Sequence, residues 1–130
     1  GHAGLFSTAT DLARFARMMI QGGELEGVRV LRADSVRQMV SAQAMPGSGV
    51  RRGLGWDLDS PYSGPRGRWF SPESYGHTGW TGTSLWIDPV AGGFVILLTN
   101  RNHPQEGGDV RRLRIQVGTL AAEAMGLGAF

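Results

Sequence analysis

Cysteine and lysine are both absent from the 130 residues, and each absence closes off chemistry. Without cysteine there is no disulfide framework, no thiolate zinc site and no thiol nucleophile. Without lysine there is no Ser-x-x-Lys dyad, no Schiff-base lysine and no phosphate-loop lysine. Long apolar runs are missing as well. Nothing approaches the roughly 20 residues of a membrane-spanning helix, and no secretory signal is recognisable. An excess of one charge is also lacking: 13 basic residues, all arginine, face 11 acidic ones, for a net charge of +2. The densest basic cluster, Arg111, Arg112 and Arg114, carries no interleaved aromatic residues of the kind that stack on single strands. It reads as a solvated helix face, and no nucleic-acid partner is expected.

What is present suits a folded chain, 41% hydrophobic and 18% charged. A chain of this size buries roughly two thirds of its unfolded surface when it folds alone. It opens at Gly1 without a methionine, directly in a patterned segment, and so reads as a fragment. A missing segment would leave part of its core uncovered.

Thr8 followed by Asp11 forms a capping-box-like start for a helix over about 9–21. Leu12, Phe15, Ala16 and Met19 recur at helical spacing on one face, and Gly22-Gly23 ends the run. A short extended stretch, Gly27 to Leu31, leads to a second helix over about 33–42, with Val36, Met39 and Val40 inward. From Ala44 to Ser74 the chain reads as surface loop, interrupted by a short strand at Gly53-Leu54-Gly55-Trp56-Asp57-Leu58. Three strands are predicted next: Tyr75 to Gly79, Thr83 to Asp88, and Phe94 to Thr99. Turn-forming connections between them predict an antiparallel meander. The run Phe94-Val95-Ile96-Leu97-Leu98 predicts a strand buried on both faces. A final helix over about 108–125 places Val110, Leu113, Val117, Leu120, Ala121 and Ala124 on one face, expected to cover the sheet. The fold class is α+β: antiparallel strands flanked by helices, with no internal repeat.

Candidate chemistry narrows by elimination. No Gly-x-Ser-x-Gly elbow occurs, and Ser48 in Pro46-Gly47-Ser48-Gly49 reads as loop. His2, His77 and His103 lack the spacing of a helical zinc site, so neither metal nor cofactor is expected. Gly53-Leu54-Gly55 lacks the third glycine and the helix of a dinucleotide loop. What stands out is Tyr75-Gly76-His77-Thr78-Gly79-Trp80-Thr81-Gly82-Thr83, where glycines strip side chains from a strand that carries a His and a Thr. Such an edge can accept a substrate backbone, and a free N–H just beyond it can aim at an oxyanion. A glycine-kinked strand with a satisfied histidine fits the same pattern equally well.

These residues carry a resemblance. The stretch from Tyr75 through Ser84-Leu85-Trp86-Ile87-Asp88-Pro89 resembles the Lys/His-Thr-Gly box, and the strand after it, of the serine β-lactamase superfamily. This is the group of class C β-lactamases, D-alanyl-D-alanine carboxypeptidases, esterases and penicillin-binding-protein-like hydrolases. Gly1-His2-Ala3-Gly4-Leu5-Phe6-Ser7-Thr8-Ala9, with Asp11-Leu12-Ala13-Arg14-Phe15, is similar to the loop and helix between that family's second and third boxes. Gly53-Leu54-Gly55-Trp56 and Leu97-Leu98-Thr99-Asn100-Arg101 sit where the family has its pre-box strand and last sheet strand.

The resemblance implies a serine acyl-enzyme acting on an amide or ester. In it His77 stands for the box lysine, the Trp80 N–H is one oxyanion donor, and Thr78 and Gly79 contact substrate. It also implies that residues 1–130 are a single partial domain, the carboxy-terminal segment, with the Ser-x-x-Lys and Tyr-x-Asn boxes upstream of Gly1 in a missing amino-terminal segment. The partner is then a small-molecule or peptide acyl substrate of the complete enzyme, and the compartment bacterial periplasm, cell surface or cytoplasm. The chain alone is expected to be inactive, and an unpaired sheet edge to favour self-association. Two further readings stand beside this one: a non-catalytic module binding a peptide or peptidoglycan-like ligand, and a half-domain that assembles with a separate chain.

Overall fold

The computed structural model describes residues 4–43 and 50–128. The Gly1-His2-Ala3 start and the Pro46-Gly47-Ser48-Gly49 loop lie outside the described residues. Helix α1, Ala9–Ile20, begins where its cap allows. Thr8 is extended, and its hydroxyl oxygen accepts the Asp11 N–H at 3.1 Å, satisfying one of the donors that a helix start leaves free. Gly22 and Gly23 then turn the chain into a two-residue hairpin, β1 (Glu24–Leu25) and β2 (Val28–Arg29), where a single extended stretch was expected. Helix α2, Ala33–Val40, buries Val36.

Of residues 53–58, where a strand was predicted, Asp57 alone forms bridges. Arg52 pairs with Gln43 and with Asp57, and Asp57 pairs with Gly76. After a 3-10 turn at Gly64–Arg66 come β3 (Tyr75–Thr78), β4 (Ser84–Asp88) and β5 (Gly93–Leu97). They pair antiparallel in the order β3-β4-β5, the predicted meander. Helix α3, Arg111–Ala124, closes the element order.

The register decides which side chains meet which helix. Ile87 opposes Phe94 and Trp86 opposes Val95, so alternate residues leave opposite faces of the sheet. On one face Ile87 and Tyr75 join Ala16 and Met19 of α1, Val36 of α2, and Trp56. On the other, Trp86 joins Phe70 and Ala122 of α3, with Val95 and Met125 beside them. Asp88, fully buried at the end of β4, holds the next turn and the Ser71 loop together. Its carboxylate accepts the Ser71 N–H at 2.6 Å, the Ser71 hydroxyl at 2.8 Å, and the Val90 and Ala91 N–H groups at 3.0 and 3.1 Å.

Two expectations about burial are corrected. Every residue of β5 is only half-buried, since β5 is the sheet edge and has β4 alone beside it among the described residues. Helix α3 presents a different face from the apolar one predicted: Gly118 and Ala122 are buried, while Leu113, Leu120 and Ala124 are exposed. The reason is a close approach. A Cβ at Gly118 would stand 2.0 Å from the Arg66 carbonyl oxygen, so α3 packs through its small residues against the 3-10 turn. The Thr119 hydroxyl, accepting the Arg68 N–H at 3.1 Å, locks the same contact.

Candidate functional site

Strand β3 ends at the site. Tyr75 is buried against Trp56, their rings edge to face at 5.2 Å, and burial pushes its phenol up to about 12. Gly76 exchanges two backbone hydrogen bonds with Asp57, at 2.8 and 3.0 Å, on the side away from β4. Past Gly76 that edge carries no further bridge among the described residues, so the backbone from His77 to Gly79 runs along an open edge. A cavity of about 390 Å³ lies beside it, with Arg52, Asp57, Tyr62, His77, Thr78 and Arg114 in its wall.

His77 is exposed. Its Nδ1 lies 2.7 Å from the Thr78 carbonyl oxygen, and because a carbonyl only accepts, Nδ1 carries the proton. In the neutral ring Nε2 is therefore the free lone pair, turned away from the backbone. Thr78, half-buried, pairs with Ser84 across the sheet. Gly79 begins the turn: its N–H donates to Thr83 O at 2.8 Å, and its oxygen accepts the Gly82 N–H at 3.2 Å. A Cβ at Gly79 would fall 2.3 Å from the Thr83 hydroxyl oxygen, so the tight turn leaves no room for a side chain.

Trp80 sits at the exposed tip. The residue is 67% exposed, and its ring lies under the Arg101 guanidinium at 4.7 Å. Among the described residues its backbone N–H donates no hydrogen bond. The turn beneath is anchored further by Arg101 N–H to Thr81 O at 2.9 Å and the Thr99 hydroxyl to Gly82 O at 2.6 Å.

The structure thus brings His77, Thr78, Gly79 and Trp80 together at one strand end. It also adds a residue that sequence reasoning assigned to a solvated face. Arg114 is half-buried and reaches from α3 to the turn, where Nη2 donates to Gly79 O at 2.7 Å and to Thr83 O at 2.9 Å. Burial first, and Arg101 second, pull its pKa below the usual arginine value. Neither Arg101 nor Arg114 has a carboxylate within ion-pairing distance among the described residues. Two cations without an ion-pair partner among the described residues therefore flank the turn that carries the Trp80 N–H, with Asp109 acting on Arg114 from beyond ion-pairing distance. A readable signal for Arg114 existed: it shares a helix face with Gly118 and Ala122, at i, i+4 and i+8.

Compared with models of protein families, residues 1–119 match the Beta-lactamase family. The chain belongs to the Beta-lactamase family. A curated relative from Escherichia coli K12, named "Putative D-alanyl-D-alanine carboxypeptidase", is 36% identical over 105 residues, which is 79% of this chain and 24% of that protein. A relative of the same name from Salmonella paratyphi B is 38% identical over the same extent. This Beta-lactamase family chain therefore spans about a quarter of the length of the curated relatives it matches.

Solved structures share the fold. A β-lactamase from Mycobacterium bovis aligns with a TM-score of 0.69 at 23% identity, over 92% of this chain and 44% of that one. A penicillin-binding protein homologue from Caulobacter crescentus aligns at 0.66 with 22% identity, over 92% and 32%. The expected α+β class and Beta-lactamase family membership both hold.

Proposed function

We propose that this chain forms one wall of the active site of a serine hydrolase that acts on an amide or ester through a serine acyl-enzyme, with the nucleophile supplied from outside residues 1–130. The observation that carries the reading is the unused Trp80 N–H, held at the end of an open strand edge beside His77. A substrate backbone lying along His77 to Gly79 would bring its carbonyl oxygen to that N–H, where negative charge develops on attack. Trp80 then supplies one oxyanion donor through its backbone, and Thr78 and Gly79 bind substrate. His77, with Nε2 free, takes or returns a proton where a lysine would otherwise stand.

The uncovered surfaces support a contribution from further chain. Among the described residues strand β5 lacks a neighbour on one side, and Leu113 and Leu120 of α3 face outward at 40% and 64% exposure. Apolar surface and an unpaired edge of this kind normally have cover. Likewise, the name carried by the Escherichia coli and Salmonella relatives favours a D-alanyl-D-alanine peptide among amide substrates.

Nitrocefin and p-nitrophenyl acetate assays test the proposal on both the 130-residue chain and the complete gene product. The chain alone should be silent, and the gene product should turn over at least one reagent. His77→Ala in the gene product should cost roughly 10²- to 10⁴-fold in rate. Turnover by the 130-residue chain that depends on His77 would refute the proposal.

A further inference from the structure

A backbone oxyanion donor can be aimed only by aiming its peptide plane. Gly79 C=O and Trp80 N–H belong to one trans peptide, so they point in opposite directions across the same plane. The oxygen of this peptide accepts two hydrogen bonds, from Arg114 Nη2 at 2.7 Å and from the Gly82 N–H at 3.2 Å, while its N–H donates none among the described residues. Two donors on the oxygen, one of them charged, draw electron density from the amide nitrogen and make the opposite N–H a stronger donor. The same Nη2 also holds Thr83 O at 2.9 Å, and Thr83 O in turn accepts the Gly79 N–H, so both ends of the turn hang on one guanidinium.

We infer that Arg114 is a positioning residue for acyl transfer, fixing and polarising the Gly79–Trp80 peptide so that its N–H meets the oxyanion at the open edge of β3. This rests on the reading of Trp80 as oxyanion donor. Arg114 is suited to the role because its charge is half-buried, spent on carbonyls, and without an ion-pair partner among the described residues, Asp109 acting on it only from beyond ion-pairing distance. Holding a cation that way is unfavourable for folding alone, whereas beside a developing negative charge the field is useful. Helix α3 can deliver the group because Gly118, one turn on, lets the helix lie against the 3-10 turn. Arg101, over the Trp80 ring at 4.7 Å, adds a second positive charge to the same turn.

The test compares Arg114→Met and Arg114→Lys with wild type in the complete gene product. p-Nitrophenyl acetate turnover, inhibition by phenylboronic acid and thermal melting are measured together. Arg114→Met should lower kcat about ten- to a hundredfold with KM within about twofold, and should weaken the tetrahedral boronate by a similar factor. Arg114→Lys, a point donor without the planar fork, should recover part of both. A merely structural staple would instead lower the melting temperature and leave kcat per folded molecule and boronate affinity unchanged, which overturns the inference. Should Arg114→Met melt below the assay temperature, Arg114→Lys decides: a two- to tenfold weaker boronate supports the inference and wild-type affinity overturns it. Where wild type turns over nitrocefin and not p-nitrophenyl acetate, nitrocefin serves as the substrate; no turnover of either removes the acyl-transfer reading and this inference with it. Wild-type turnover that Arg114→Met leaves intact removes the inference alone.

Discussion

Tyr75 shows how burial at a single residue becomes a pH dependence. Its phenol has an ordinary value of 10.0 and is pushed up to about 12 in the fold, because the buried ring resists ionisation. Below pH 10 both folded and unfolded chains keep the proton, and the group has no effect on stability through titration. Between about 10 and 12 the unfolded chain releases the proton while the folded one retains it, so stability falls as pH rises through that window. In urea melts at pH 9, 10 and 11 the stability of wild type relative to Tyr75→Phe should therefore fall as pH rises. The wild type should lose about 1 to 2 kcal/mol relative to the variant by pH 11. A constant difference across the series would show that the phenol is not buried. At the same scale, Arg114 was the residue least legible in the sequence. A run of three arginines in a helix reads as solvated, and only the small residues one and two turns on mark the buried face.

Among the elements, α1 and the meander were the most legible. Their signals are local: a Thr8 cap, apolar residues at helical spacing, and glycine-rich turns between alternating strands. Helix α3 was legible in extent but not in orientation. Its leucines suggested the buried face, yet the neighbouring 3-10 turn comes so close that glycine and alanine must face it. Gly118→Ala tests this. Alanine favours a helix by about 1 kcal/mol over glycine, but the new Cβ would stand 2.0 Å from the Arg66 carbonyl oxygen, a backbone atom that cannot rotate away. Overpacking should win, with a net loss of about 1 to 3 kcal/mol in urea unfolding. Stabilisation would mean that α3 does not lie against the turn. The segment 53–58 was half legible, since Gly53 and Trp56 suggested strand geometry while only isolated bridges formed.

For the whole molecule, the sequence carried the fold class and the strand that bears the candidate site, while the proposed chemistry draws on surfaces that are open. The edge of β5, the outward leucines of α3 and the free backbone beyond Gly76 lie on a chain that covers about a quarter of its curated relatives. The proposed wall at His77 to Trp80 was readable because glycine, histidine and threonine sit together in sequence. The proposed reactive wall was not, because no Ser-x-x-Lys is encoded in these residues. The most direct test is to find the nucleophile. The complete gene product is treated with a fluorescent penicillin and, separately, a fluorophosphonate, then digested, and the modified peptide is identified by mass spectrometry. The account predicts a single adduct on a serine outside residues 1–130. An adduct on a serine within residues 1–130, or none with either reagent on folded protein, would contradict it.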